Sequence, residues 1–167
     1  GSYTGLRVGL ATAKGLCYAL DRPLILLSTL QVMAAAAISH CTEHHADMAQ
    51  DLLYCPMIDA RRMEVFTAVY DGQLNAVMPP SAMILDEQSF RVIVKQHRVV
   101  FSGNGAGKFR NIMNESNAIF CDVQHDASSM QAIAEHHYLL KSFADKAYSE
   151  PFYIKEFFST ASKLKSD

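Results

Sequence analysis

Residues 4–20, TGLRVGLATAKGLCYAL, constrain the fold more than any other stretch of this chain. They suit a helix and are apolar nearly all round, broken only by Arg7, Thr12 and Lys14. A helix of that kind needs cover on most of its sides. Gly5, Gly9, Ala13 and Cys17 recur every four residues and form a smooth stripe along one face. Gly9 and Gly15 each cost roughly 1 kcal/mol of helix propensity against alanine. Close approach of a second helix, internal or on another subunit, offsets that cost. The stripe with its neighbours Leu6, Leu10 and Arg7 is therefore the candidate partner surface.

Asp21-Arg22-Pro23 is expected to end this helix, and Leu24–Leu27 reads as a short buried strand. Ser28-Thr29-Leu30-Gln31 has the form of a capping box opening a second helix to about His40. Residues 41–51, CTEHHADMAQD, read as a polar linker. Beyond them the period changes from helical to alternating. Residues 52–60 and 63–71 are rich in strand formers and flank a turn at Ala60–Arg62, a hairpin pattern without the usual Asn-Gly or Asp-Gly pair.

Further along, Asp71-Gly72 marks a turn, Pro79-Pro80 a loop, and Asp86 a cap for a helix to about Gln96. A strand at 98–103, a short helix from about Ala106 to Asn114 and a strand at 117–123 follow. A final helix is capped by Ser128 or Ser129, with Ile133, His137, Leu140 and Ala144 on one face. Pro151 begins FYIKEFF, which suits a short edge strand packing back on the rest. Strands alternating with helices give an α/β fold with a mixed sheet.

The totals narrow the function. In 167 residues half the side chains are apolar and 19% charged, enough for one domain or two small lobes and unlike a disordered chain. A net charge of −2 supplies no basic field, which argues against nucleic-acid binding by this chain alone. No run approaches the roughly 20 apolar residues of a membrane span. The N-terminus lacks a signal-peptide pattern. Cys17, Cys41, Cys55 and Cys121 are scattered without a CxxC pair, the pattern of reduced, mostly buried thiols in a cytosolic protein.

Three constellations carry possible chemistry. His40 and His44, followed by His45 and Asp47, have the i, i+4 spacing of a helical zinc pair, but Cys41 stands where HExxH proteases carry the general base. Exposed histidines at a helix end are the simpler reading, and no metal is assigned. FSGNGAGKF at 101–109 has the strand, glycine-rich turn and helix start of a phosphate cradle. Ser102 replaces the first Walker glycine and Phe109 the magnesium-binding hydroxyl. Gly103, Gly105 and Lys108 thus remain a weak anion candidate beside an ordinary strand-to-helix turn. Asp59, Arg61, Arg62 and Glu64 read as a salt-bridged turn. At the chain start, Ser2 or Thr4 can cap the helix, and Thr4, backbone N–H groups and Arg7 offer a second weak anion site beside that simpler capping role. No catalytic residue is assigned.

These stretches together resemble one family. GSYTGLRVGLATAKGLCYALDRPLILLSTLQVM is similar to the signature of the bacterial TsaB (YeaZ) proteins, and IDARRMEVFTAVYD to their second block. FSGNGAGKF and EPFYIKEFF follow in the expected order, so the resemblance covers nearly the whole chain.

It implies the two-lobed actin, hexokinase and Hsp70 (ribonuclease H-like) fold. Lobe I would comprise residues 1–50, lobe II residues 51–150, and residues 151–167 a C-terminal segment packing back on lobe I. It also implies a non-catalytic, cytoplasmic subunit without a cofactor. That subunit pairs with the metal-bearing paralogue TsaD through first-lobe helices, works beside the ATPase TsaE, dimerises, and meets tRNA only in the complex. The product is threonylcarbamoyladenosine beside the anticodon. The competing expectation is a metal-dependent glycoprotease-like or nucleotide-binding enzyme of the same superfamily. TsaB proteins carry strands with an ILxIDTS-like segment before GxGSYTGLR, so the first lobe is expected to be incomplete here. Apolar surface on the first helix is then expected to be exposed or covered by self-association.

Overall fold

The computed structural model describes residues 3–44 and 51–154. Helix α1 spans Tyr3–Ala19 and helix α2 Thr29–His44. The strands are β1 (Leu52–Asp59), β2 (Glu64–Tyr70), β3 (Ala76–Ile84), β4 (Arg98–Ser102) and β5 (Ala118–Cys121). Helix α3 (Arg91–Gln96) precedes β4, and α4 (Ala106–Arg110) links β4 to β5. A 3-10 turn at Ala127–Met130 leads into α5, Gln131–Leu139.

The strands form one mixed sheet in the order β3-β2-β1-β4-β5. β1, β2 and β3 run antiparallel, whereas β4 and β5 pair parallel to β1 and to each other. The two-residue period of a strand sorts the core into two faces. Leu53, Cys55 and Met57 of β1 join Val65, Val69, Val99 and Phe101 on one face, covered by Val94 of α3 and Phe109 of α4. Phe109 meets Phe90, Phe101 and Phe120 with ring centroids at 5.5, 5.0 and 6.2 Å. Leu52 and Tyr54 turn to the other face with Ala68, Tyr70 and Val100, under Leu30, Met33, Ala34, Ala37 and Cys41 of α2. β1 is buried from both sides, as a central strand covered on both faces must be.

Several sequence expectations change. Residues 24–27 do not form a strand. Leu24 makes one isolated antiparallel bridge, accepting from the Ala144 N–H at 2.8 Å. α2 continues through Cys41–His44, the first part of the expected linker, while His45 and Asp47 lie outside the described residues. Ser28 opens α2 through its carbonyl, which accepts from Val32 N–H at 3.0 Å, and its hydroxyl bonds to Tyr70.

Pro79 and Pro80 sit within β3 rather than in a loop. The register passes from Thr67↔Ser81 to Val69↔Met78, so the prolines occupy a bulge on an edge strand, where a missing N–H breaks no ladder. Asp86 accepts from Gln88 and Ser89 N–H and caps a turn. Phe90, at φ 59°, then delays α3 to Arg91. α4 stops at Arg110, not Asn114.

The N-cap before α5 is Asp126 rather than a serine, and its carboxylate accepts from Ser128 N–H at 2.8 Å. α5 ends at Leu139, so of the expected face Ile133 is buried, Leu140 is exposed, and Ala144 serves the bridge to Leu24. Residues 151–154 form no strand, and the rest of FYIKEFF lies outside the described residues.

Candidate functional site

α1 is not buried on most sides as its composition demands. Val8, Leu16, Tyr18 and Leu20 are 60, 58, 82 and 66% exposed. The expectation of exposed apolar surface on this helix is met by these side chains. One side faces a groove of about 1020 Å³ between α1, residues 24–30 and residues 150–154, with Ile58, Asp59, Phe66 and Pro80 of the sheet at its floor and rim.

Of the stripe, Gly5, Leu6, Gly9, Leu10 and Ala13 line that groove. A Cβ added at Gly9 meets no atom within 4 Å, so the glycine leaves open space rather than serving an internal contact. Cys17 donates to the Pro23 carbonyl at 3.4 Å and Arg7 is exposed. Lys14 donates to the Ala147 and Ser149 carbonyls at 2.8 and 3.0 Å and ties α1 to the chain's last described stretch.

The two motifs considered separately for chemistry, the 59–64 turn and the 103–108 turn, meet in one clasp. Lys108 donates to Asp59 Oδ1 at 2.9 Å, to the Arg62 carbonyl at 2.7 Å and to the Glu64 carbonyl at 3.0 Å. All three ammonium protons are thereby directed at the β1–β2 turn. Asp59 Oδ1 also accepts from Arg61 N–H at 2.7 Å, and its own N–H donates to Asn104 Oδ1 at 2.9 Å. Lys108, with the Arg61 N–H next in weight, holds the Asp59 carboxyl below its ordinary value.

The clasp holds a backbone that would not choose its shape. Arg61 and Arg62 have φ of 74° and 46°, the left-handed region where Asn-Gly would normally stand. The glycines opposite are required sterically. Gly103 has φ 90°, and a Cβ there would lie 2.6 Å from the Met57 carbonyl oxygen. At Gly105 a Cβ would lie 2.9 Å from a Val65 methyl, and its N–H donates to the Met57 carbonyl at 3.0 Å. Gly103, Gly105 and Lys108 are thus occupied in building a hairpin, while Thr4 lies exposed in the first turn of α1. The pairing of Asp59 with Lys108, and the part played by Asn104, are not legible locally; complementary charges flanking two separate turns are their sole trace in the sequence.

The rings of His40 and His44 stack with centroids 4.4 Å apart, and His44 Nδ1 lies 3.0 Å from the His40 carbonyl. No group of three or more metal-ligating side chains occurs among the described residues. Among them, too, no helix is long and apolar enough to cross a membrane.

This mixed sheet with helices on both faces has relatives of known structure. An uncharacterized protein with similarity to the peptidase YEAZ from Pseudomonas aeruginosa superposes with a TM-score of 0.69 at 19% identity, over 93% of this chain and 69% of that one. YeaZ from Pseudomonas aeruginosa superposes with a TM-score of 0.67, also at 19% identity, over 92% and 69%. These likenesses define the class: an α/β protein of the actin, hexokinase and Hsp70-like fold.

The sequence comparisons go further. The family model described as "TsaD: tRNA N6-adenosine threonylcarbamoyltransferase" matches residues 1–151. The tRNA threonylcarbamoyladenosine biosynthesis protein TsaB of Bacillus subtilis (strain 168) is 31% identical over 118 residues, 69% of this chain and 47% of that protein. The chain belongs to this family, on its TsaB/YeaZ branch. It spans about half the length of the curated relative it matches.

Proposed function

We propose that this chain serves threonylcarbamoyladenosine biosynthesis on tRNA as a non-catalytic subunit, pairing with a TsaD-like paralogue through the groove-lining face of α1. The observation that carries the reading is the match to the Bacillus subtilis TsaB together with a face of α1 on which Gly5, Leu6, Gly9, Leu10 and Ala13 line an open groove. Small residues at 5, 9 and 13 leave room for a partner helix to approach closely, and Leu6 and Leu10 supply apolar area beside them. Lys108 is saturated by the hairpin, which supports a scaffold reading over phosphate binding at the glycine-rich turn. In this reading residues 1–50 are part of the first lobe, 51–150 form the second, and 151–167 are a C-terminal segment packing back on the first. A TsaE-like ATPase joins the complex, a homodimer forms on the same face when the paralogue is absent, and tRNA is met only through the assembly.

Co-expression with the TsaD-like paralogue and an assay of threonylcarbamoyladenosine in tRNA, with and without this chain, tests the proposal. Co-purification at fixed stoichiometry and a loss of modification when the chain is omitted are expected. Modification that proceeds equally without it, or stoichiometric metal carried by this chain alone, would overturn the reading.

A further inference from the structure

The C-terminal ends of α1 and α5 close in the same way and border one pocket. After α1, Arg22 N–H donates to the Cys17 carbonyl at 2.9 Å and Asp21 N–H to the Tyr18 carbonyl at 3.4 Å, with Asp21 at φ 48°. After α5, Ser142 N–H donates to the His137 carbonyl at 2.9 Å and Lys141 N–H to the Tyr138 carbonyl at 3.1 Å, with Lys141 at φ 52°. Each pair of bonds is a Schellman closure, whose left-handed position normally belongs to glycine. Charged residues stand there instead, and both line a pocket of about 640 Å³. Apart from Leu24 it shares no lining residue with the groove beside α1.

The two walls are fastened to each other. The Leu24 carbonyl accepts from Ala144 N–H at 2.8 Å, and Lys146 Nζ donates to Asp21 Oδ1 at 3.3 Å. Tyr138 and Phe143 add two rings with centroids 5.8 Å apart, 58 and 42% exposed. The charges lining the pocket are unevenly engaged. The Asp145 carboxylate accepts from Ala147 and Tyr148 N–H at 2.6 and 2.8 Å, and Asp21 is paired with Lys146. Among the described residues the side chains of Arg22 and Lys141 have no ion-pair partner. Three cations face two carboxylates here, a local positive excess in a chain of net charge −2.

We propose that this pocket binds a free nucleoside 5′-monophosphate, its base against Tyr138 and Phe143 and its phosphate held by Arg22 and Lys141. A guanidinium fork matches phosphate oxygens in pairs, and the lysine adds a point charge. Exposed aromatic faces accept a flat base by stacking, whichever base it is. The volume falls in the range of about 300–1,000 Å³ typical of small-molecule sites, more than an isolated phosphate fills. The net charge of −2 supplies no field to follow a polynucleotide backbone, so the ligand is one nucleotide rather than a strand. A charged residue kept at φ 52°, where glycine is easier, is the kind of backbone strain that collects at ligand sites.

The test is calorimetric titration of the chain with AMP, GMP, CMP and UMP, beside adenosine, inorganic phosphate and a single-stranded tetranucleotide. Saturable one-to-one binding of at least one monophosphate is expected, with adenosine and phosphate each about tenfold weaker or more, since each lacks half of the contacts. Lys141→Gly separates binding from folding. Glycine takes φ 52° freely, so the thermal midpoint should stay or rise while affinity for the monophosphate drops about tenfold. Tyr138→Leu, at an exposed position, should likewise weaken binding and spare the midpoint. Four monophosphates that fail to saturate, inorganic phosphate binding as well as a monophosphate, or unchanged affinity in Lys141→Gly would each overturn the proposal. A tetranucleotide binding about tenfold tighter than the monophosphate would overturn it too, by pointing to a strand.

Discussion

Replacing Lys108 with methionine keeps the aliphatic stem and removes three hydrogen bonds that pin the β1–β2 turn. The Glu64 carbonyl is half-buried and also accepts from Ala60 N–H at 3.0 Å, whereas the Arg62 carbonyl is exposed and water replaces the lost donor. A hydrogen bond from a charged donor to a shielded acceptor contributes about 1.5–3 kcal/mol, so the Glu64 contact sets the scale at about 2 kcal/mol. For a chain of this size that corresponds to a midpoint lowered by roughly 4–8 °C.

The pH dependence has a definite sign. The Asp59 carboxyl is held below its ordinary value in the folded state, so its contribution is present above the ordinary carboxylate range. It is lost as pH falls through the lowered value. Differential scanning calorimetry of wild type and Lys108→Met should therefore show a gap at pH 7 that narrows below about pH 4. Arg61→Gly gives an independent check, because glycine occupies φ 74° without the roughly 1–2 kcal/mol that an L side chain costs there. That variant should match or exceed wild-type stability. A Lys108→Met midpoint within 1 °C of wild type, or Arg61→Gly as damaging as Lys108→Met, refutes the clasp as the element that enforces the turn.

Gly103→Ala places a Cβ against the Met57 carbonyl oxygen at positive φ and should lose about 3 kcal/mol or more, read as a lowered urea midpoint. Phe109→Ala empties the centre of the four-phenylalanine cluster and should lose about 3–5 kcal/mol by the same measurement. Gly9→Phe should leave thermal stability unchanged or slightly raised, since nothing lies within 4 Å of the added Cβ, while affinity for a TsaD-like partner falls at least tenfold by calorimetry. Equal affinity would remove the α1 face from the interface. Cys55, fully buried with its thiol pushed up to about 12, should resist iodoacetamide at neutral pH in the folded chain and react only in denaturant.

What the sequence determined alone is local periodicity. α1 and α2 are written in apolar helical runs, β1 and β2 in strand formers flanking a short break, and β4 in RVVFS before a glycine turn. The family itself was legible in GSYTGLR and IDARRMEVF, because a long specific word survives where single residues carry little. The groove-lining stripe at 5, 9 and 13 was legible as spacing, though not its surroundings.

Tertiary structure decided the rest. Leu24–Leu27 has the composition of a strand but pairs only at Leu24, and a strand needs a neighbour to satisfy its backbone. Pro79 and Pro80 look like a loop yet lie in β3, since the sheet edge tolerates what its centre forbids. Lys108 resembles a phosphate ligand until the fold brings Asp59 and two carbonyls to its ammonium. Periodicity follows from each residue's own geometry and its near neighbours. Partnership between distant residues exists only after the chain has closed, and here the roles of lysine and proline alike depended on that closure.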